Sequence, residues 1–252
     1  MLSLRDDSLI YRIEKGQVSM GEPVGILLLD TSVPFVPGDV ANATTWNFPV
    51  RFKKLRGFSV ERALKRDPSN YEQVLKAARE LKEEAGVRGI TSDCGFLGLF
   101  QKPLAQDLEM PVFLSSLMQA DLLLNMLGED QKIGVITVDS SSLDDGLLKA
   151  VGVRQIDRLF IAGLQQKKNF HAFALAEIGE LDFKAVSQEV VEVALEMLRQ
   201  DRSIGAFLLE CSLLPPYAAS VQQAVGKPVF DFTTLVNFAF SGIQRREFTG
   251  FV

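Results

Sequence analysis

The chain has 252 residues, 47% hydrophobic and 23% charged, a globular balance with length for one large domain or two lobes. Its net charge of −5 leaves no electrostatic footprint for nucleic acid or an anionic membrane. No apolar run approaches the roughly 18 residues of a bilayer span, and the mixed-charge start (Arg5, Asp6, Asp7, Arg12, Glu14, Lys15) lacks a signal-peptide core, so a cytoplasmic protein with reduced thiols is expected.

Residues 1–22 read as an extension, with one short strand around Leu9 to Ile13. Val24-Gly25-Ile26-Leu27-Leu28-Leu29-Asp30 is a continuous apolar run ending in an acid, the pattern of a parallel strand covered on both faces. Thr31 to Thr45, with Pro34, Pro37, Gly38, Asp39 and Asn42, predicts a long loop, and long ordered loops are more often functional than not. A second strand is expected over Phe48 to Leu55. Tyr71 to Ala85 is an amphipathic helix with Val74, Leu75, Ala78, Leu81 and Ala85 on one face and Gly86 as its stop. A strand then leads into Cys94, a short helix spans about Pro103 to Leu108, and Pro111 to Leu114 forms a further strand. Ser115 or Ser116 caps a helix that runs to Gly128.

A second copy begins at Ile133-Gly134-Val135-Ile136-Thr137-Val138-Asp139, which matches the first strand with Gly134 at Gly25 and Asp139 at Asp30. A helix over Leu143 to Val151, a strand over Ile156 to Ala162 and an amphipathic helix over Ser187 to Gln200 follow. A strand into Cys211, a helix from Pro215 or Pro216, the strand Pro228-Val229-Phe230 and a final helix from Thr233 to about Arg245 close the chain. Strands alternating with helices predict an α/β protein of two pseudo-symmetric lobes, each a parallel sheet flanked by helices and joined by right-handed crossovers. The expected division is an extension over 1–22, one lobe over 23–114 with 232–252, and a second over 115–231. Ligands of open α/β sheets sit beyond the carboxyl ends of strands, where Asp30, Cys94, Asp139 and Cys211 all fall, so the site is expected in the interlobe cleft.

The two cysteines are the chain's only ones, and each precedes Pro-Val-Phe by the same 17 residues (111 − 94 and 228 − 211). Inverting a carbon acid needs a base on one face and an acid on the other, and two facing lobes with one thiol each supply both. A thiol near pKa 8.5 suits that work, and a helix start after each cysteine stabilises the thiolate. The N–H groups of Gly95, Phe96, Ser212 and Leu213 would point at the same cleft and hold a carboxylate or enolate-like charge. Strand alternation turns Asp93 and Glu210 to the face opposite the thiols. The plain alternative makes both cysteines small core residues, and the matched spacing favours function over it.

In the long loop, Gly38-Asp39 and Asn42 are candidates for a substrate carboxylate or amine, with turn chemistry as the alternative. His171, the single histidine, has no partner at a telling spacing, and with two distant cysteines it leaves little for a metal site.

These residues resemble the aspartate/glutamate racemase superfamily, which includes glutamate, aspartate and hydantoin racemases, arylmalonate decarboxylase and maleate isomerase. The resemblance runs from about Val24 to the C-terminus. It rests on Asp30-Thr31, on Thr91-Ser92-Asp93-Cys94-Gly95, and on Glu210-Cys211-Ser212 leading through Pro215 to Pro228-Val229-Phe230. It implies no cofactor, catalytic acid/bases at Cys94 and Cys211, and Asp30 and Thr31 at the substrate. Amino-acid racemases commonly carry Cys-Thr-His at the second cysteine, where this chain has Cys211-Ser212-Leu213. Thr31-Ser32-Val33-Pro34 also replaces an Asp-Ser-Gly-rich loop, and both departures argue against glutamate as substrate.

The expected activity is a racemase or epimerase of a small carboxylate, an amino acid or a hydantoin, in a protein that can be a homo-oligomer. The alternatives are a one-thiol lyase or isomerase of the same superfamily, a two-lobed binding protein without turnover and, last, a redox thiol pair.

Overall fold

The computed structural model describes residues 12–251. The first strand, β1 (Val24–Leu28), is central in a three-stranded parallel sheet between β2 (Val50–Lys54) and β3 (Gly89–Ser92). The second sheet repeats this arrangement. Its β4 (Lys132–Thr137) lies between β5 (Leu159–Gly163) and β6 (Ile204–Leu209), and β7 (Val229–Phe230) pairs with the far side of β6, all in parallel. β3, β6 and all but the first residue of β4 are buried, as the continuous apolar runs require of strands covered on both faces.

The helices are α1 (Val60–Lys65), α2 (Tyr71–Ala85), α3 (Gln101–Leu108), α4 (Ala120–Leu124), α5 (Asp145–Ala150), α6 (Lys168–Phe170), α7 (Phe183–Gln200), α8 (Ala218–Val225) and α9 (Phe232–Ile243). α2 has the bounds its periodicity predicts and stops at Gly86, whose φ of 64° is a left-handed cap that glycine adopts without a Cβ clash. Asp231 caps α9, accepting the Thr234 N–H at 3.0 Å while the Thr234 hydroxyl accepts the Asp231 N–H at 3.0 Å.

The duplication shows in packing as well as order. A Cβ on Gly25 would stand 2.9 Å from Leu81 Cδ1 on α2, and one on Gly134 would stand 2.8 Å from Phe207 Cε1 and 3.2 Å from Met197 Cε on α7. Each glycine therefore lets the long helix of its half lie close on the central strand. Gly134→Val is expected to lower stability by about 2 kcal/mol, roughly 6 °C of melting temperature, by overpacking that contact. A thermal melt followed by circular dichroism checks it, and an unchanged midpoint would contradict the packing argument.

Several expected bounds shift. Pro111 to Leu114 makes only an isolated parallel bridge, Ile90 with Val112, although it lies beside β3 as β7 lies beside β6. On the edge away from β3, the buried Gln101 amide donates to Val112 O at 2.7 Å and accepts the Leu114 N–H at 2.9 Å, doing the work of a further strand partner. The helix expected up to Gly128 is a 3₁₀ turn over Ser116–Gln119 followed by α4. α1 was not anticipated; Ser59 caps it, accepting the Arg62 N–H at 3.3 Å. The strand expected around Leu9 to Ile13 falls mainly outside the described residues, and Arg12 and Ile13 are not in a strand. Among the described residues no helix is long and apolar enough to cross a membrane.

Candidate active site

Each cysteine follows the carboxyl end of a central-neighbour strand, Cys94 after β3 and Cys211 after β6. The residue before each is tied to its own sheet in the same way: the Asp93 N–H donates to Leu27 O at 2.9 Å and the Glu210 N–H to Ile136 O at 2.8 Å. Hydroxyls then tie the segments around the two cysteines together. Ser116 Oγ donates to Leu209 O at 3.0 Å, and Ser212 Oγ donates to the carbonyl of Asp93. The residue preceding one cysteine is thus hydrogen-bonded to the residue following the other. Two thiols 117 positions apart in sequence (211 − 94) are brought to one place.

Both thiols line the same small pocket. One wall comes from the loop after β1, with Leu29, Thr31, Val33 and Phe35, and another from Val60 and Leu64 of α1. Val138 and Ala174 close the side belonging to the second sheet, and the cysteine turns add Gly95, Phe96, Ser212 and Leu213. The walls are mostly apolar, and the polar groups are two acids, two thiols, and the hydroxyls of Thr31 and Ser212. No basic side chain lines it among the described residues. The Thr31 hydroxyl is buried without a hydrogen-bond partner. Further links join the halves, from the Ser32 N–H to Glu177 Oε2 at 2.8 Å and between Arg66 and Asp144. Among the described residues no three His, Cys, Asp or Glu side chains are placed to hold a metal ion.

The two acids correct the expectation from strand alternation. Asp93 and Glu210 line the pocket with the cysteines, because the chain leaves strand geometry at the end of β3 and β6. Burial raises each carboxyl to about 7. Asp93 is partly compensated, since both its oxygens accept the Leu29 N–H, at 2.9 and 3.2 Å. Glu210 has only the Thr137 hydroxyl, donating to Oε2 at 2.7 Å.

The thiols respond to these neighbours. Burial, then the charges of Glu210 and Asp93, pushes Cys94 far above an ordinary thiol, against the N–H groups of Phe96 and Leu97 that favour its thiolate. Cys211 is raised well above its usual value by burial and Glu210, and the Leu213 N–H alone opposes this. The helix starts act in the expected direction but are outweighed by burial and the neighbouring carboxyls.

Of the residues expected at the substrate, Cys94, Cys211, Thr31, Gly95, Phe96, Ser212 and Leu213 come together in the pocket wall. Asp30 does not. Its carboxylate is turned out to the Gly57 N–H at 2.7 Å and to Lys54, which hold it below the usual carboxylate range. Asn42 is also elsewhere, its side chain donating to Phe35 O at 2.8 Å and accepting the Thr44 N–H at 2.9 Å, so turn chemistry accounts for it. His171 is exposed on a π-helical turn over His171–Leu175, away from the thiols. Sequence reasoning offered Asp39, with Asn42, as a loop residue able to hydrogen-bond substrate and passed over Tyr217; both are buried, and their charge or hydroxyl lies close enough to Cys211 to couple with it. Asp39 itself is raised well above its usual value, by burial first.

No protein-family model matches the chain. A dimethylsulfoniopropionate lyase from Durusdinium sp. clade D is 32% identical over 225 residues, covering 87% of this chain and 74% of that one. Dimethylsulfoniopropionate lyase 5 of Emiliania huxleyi (strain CCMP1516) is 31% identical over 227 residues, and the chain spans only 45% of its length. Among solved structures, allantoin racemase from Pseudomonas fluorescens superposes with a TM-score of 0.60 at 15% identity, over 90% of this chain and 99% of that one. Unliganded arylmalonate decarboxylase gives 0.58 at 14% identity, over 89% and 94%. At such identities the structural likeness shows a shared fold, that of the racemase and decarboxylase superfamily the cysteine motifs resemble.

Proposed function

The chain belongs to the family of dimethylsulfoniopropionate lyases, and from that premise we propose that it cleaves dimethylsulfoniopropionate into dimethyl sulfide and acrylate. The observation that carries this reading is a pocket holding two thiols and two buried carboxyls with no basic side chain in its wall. Such a site suits a substrate that brings its own positive charge. The expected racemase gives way to its lyase alternative, because the relatives are named for elimination.

The chemistry follows from the groups present. A thiolate removes a proton from the carbon next to the substrate's carboxylate. The C–H electron pair becomes the new carbon–carbon double bond, the bond to sulfur breaks, and its electrons leave with neutral dimethyl sulfide. The proton taken by the thiol passes to water, so the products are acrylate, dimethyl sulfide and a proton. Charge that builds on the carboxylate in the transition state can be met by the Thr31 hydroxyl and the backbone N–H groups of the cysteine turns. Cys94 is the better base, since two N–H groups, from Phe96 and Leu97, favour its thiolate and only that of Leu213 favours Cys211. Elimination returns no proton to carbon, so a single base suffices.

Headspace gas chromatography for dimethyl sulfide and proton NMR for acrylate test the reading on the purified chain. Both products are expected in equal amounts. Exchange of α-protons of amino acids or hydantoins in deuterated water, with no dimethyl sulfide released, would instead favour the racemase. That second reading is supported by the symmetric placement of the second thiol. The raised thiols also set a pH profile. Below the thiol pKa the thiolate fraction grows tenfold per unit, so once the carboxyls that titrate near 7 are ionised, kcat/KM is expected to climb about tenfold per pH unit from 8 to 10. A plateau beginning near pH 6 would contradict a base held protonated by its surroundings.

A further inference from the structure

The mechanism gives Glu210 no task, yet its carboxyl has an atom the fold leaves unused. Glu210 is 0% exposed and its Oε1 is buried without a hydrogen-bond partner. That oxygen lies against Gly95, where a Cβ would occupy its place, so the glycine after Cys94 is what lets it reach the wall beside the thiol. Asp93 differs, because both its oxygens are engaged by the Leu29 N–H. Of the two acids in the pocket, only Glu210 offers a free oxygen.

We propose that Glu210 is the specificity-determining counter-charge of the site, with Oε1 facing the dimethylsulfonium end of the substrate. The assignment rests on the lyase reading and deepens it. An ammonium ion brings three N–H donors and needs several acceptors around it. A sulfonium has no donor and asks only for negative charge in an otherwise apolar wall, which a lone unpartnered carboxylate oxygen supplies. The opposite end of the substrate then falls toward Thr31 and the N–H groups of the cysteine turns, leaving the intervening carbons beside the thiols. The sulfur loses its charge as its bond to carbon breaks. The attraction to Glu210 is therefore stronger in the bound substrate than in the transition state, and it governs KM more than kcat.

Two small probes separate charge from shape without turnover. Dimethylsulfonioacetate carries the sulfonium but cannot undergo this elimination, and 3-methylbutanoate is the isostere with an uncharged carbon in place of the sulfur. Titration calorimetry of the full chain at pH 8 is expected to show the sulfonium bound at least about tenfold more tightly, a difference near 1.4 kcal/mol. Glu210→Gln should bring that ratio below about twofold and raise KM for dimethylsulfoniopropionate by about tenfold, with kcat unchanged or raised, because the same change removes a charge that holds the Cys94 thiol protonated. Thr137→Val keeps the carboxyl but removes the hydroxyl that stabilises its charge, and should narrow the ratio in the same direction. A ratio near one in the parent, or one unchanged in both variants, overturns the assignment. If the parent then still releases dimethyl sulfide, the lyase reading stands without it. A parent that neither prefers the sulfonium probe nor releases dimethyl sulfide overturns both.

Discussion

Replacing Cys94 by serine is expected to lower dimethyl sulfide release by about a thousandfold, the scale of a lost general base. The hydroxyl fits the space, keeps the hydrogen bonds of the turn and loses its proton far less readily than a thiol. The N–H groups of Phe96 and Leu97 are then aimed at a group that no longer ionises. The same change at Cys211 is expected to cost only about tenfold, because elimination needs a base on one face and nothing on the other. Racemisation predicts a different result. Each thiol there serves one direction of proton transfer, so both variants would lose activity to a similar extent. Initial rates of the two variants, with circular dichroism to confirm the fold, distinguish these outcomes. Equal losses in dimethyl sulfide release would show that elimination uses both thiols.

The frame of this site was legible in the sequence because strand ends and short-range spacing are local properties. The apolar runs into Asp30, Asp139, Cys94 and Cys211, and the equal distance from each cysteine to Pro-Val-Phe, were enough to expect two parallel sheets with thiols at their carboxyl edges. What was not legible depends on how the chain turns after a strand stops. Asp93 and Glu210 were placed by strand alternation on the face away from the thiols. The pleat ends at Ser92 and Leu209, and the turns that follow bring both acids into the pocket. Asp30 illustrates the reverse case. It stands at the right strand end, but Lys54 and the Gly57 N–H, from the neighbouring strand and its turn, draw its carboxylate outward. The apolar wall from α1 was missed because six residues are too few for a helical period to declare itself. Gln101 was missed for a different reason. A buried glutamine that replaces a strand partner leaves no periodic signal at all.

Glu210→Gln is expected to stabilise the ligand-free protein at pH 8, by as much as about 3 kcal/mol. Burial raises the Glu210 carboxyl from 4.5 in the unfolded chain to about 7 in the fold. The folded protein therefore binds more protons than the unfolded one between those values. A group raised in this way stabilises the fold fully below its unfolded pKa, and that contribution is lost as pH rises through 7. At pH 8 the parent must hold a buried carboxylate with an unpartnered Oε1, whereas glutamine holds a neutral amide of the same shape. At pH 4 both side chains are neutral and the two proteins should melt together. Asp93 and Asp39 are raised as well, so the variant should keep part of the parent's decline toward alkaline pH. The lowered carboxyls of Asp144 and Asp201 act in the opposite direction, but equally in both proteins. Urea titrations at pH 4, 6 and 8 measure the difference, and a gain that does not grow with pH would mean Glu210 is not charged in the fold. A cation beside Oε1 offsets the same unfavourable charge. The sulfonium probe should therefore raise the parent's stability more at pH 8 than at pH 5, and should do much less for the glutamine variant. One buried carboxylate thus destabilises the fold by itself and favours a charged ligand through the same electrostatic interaction.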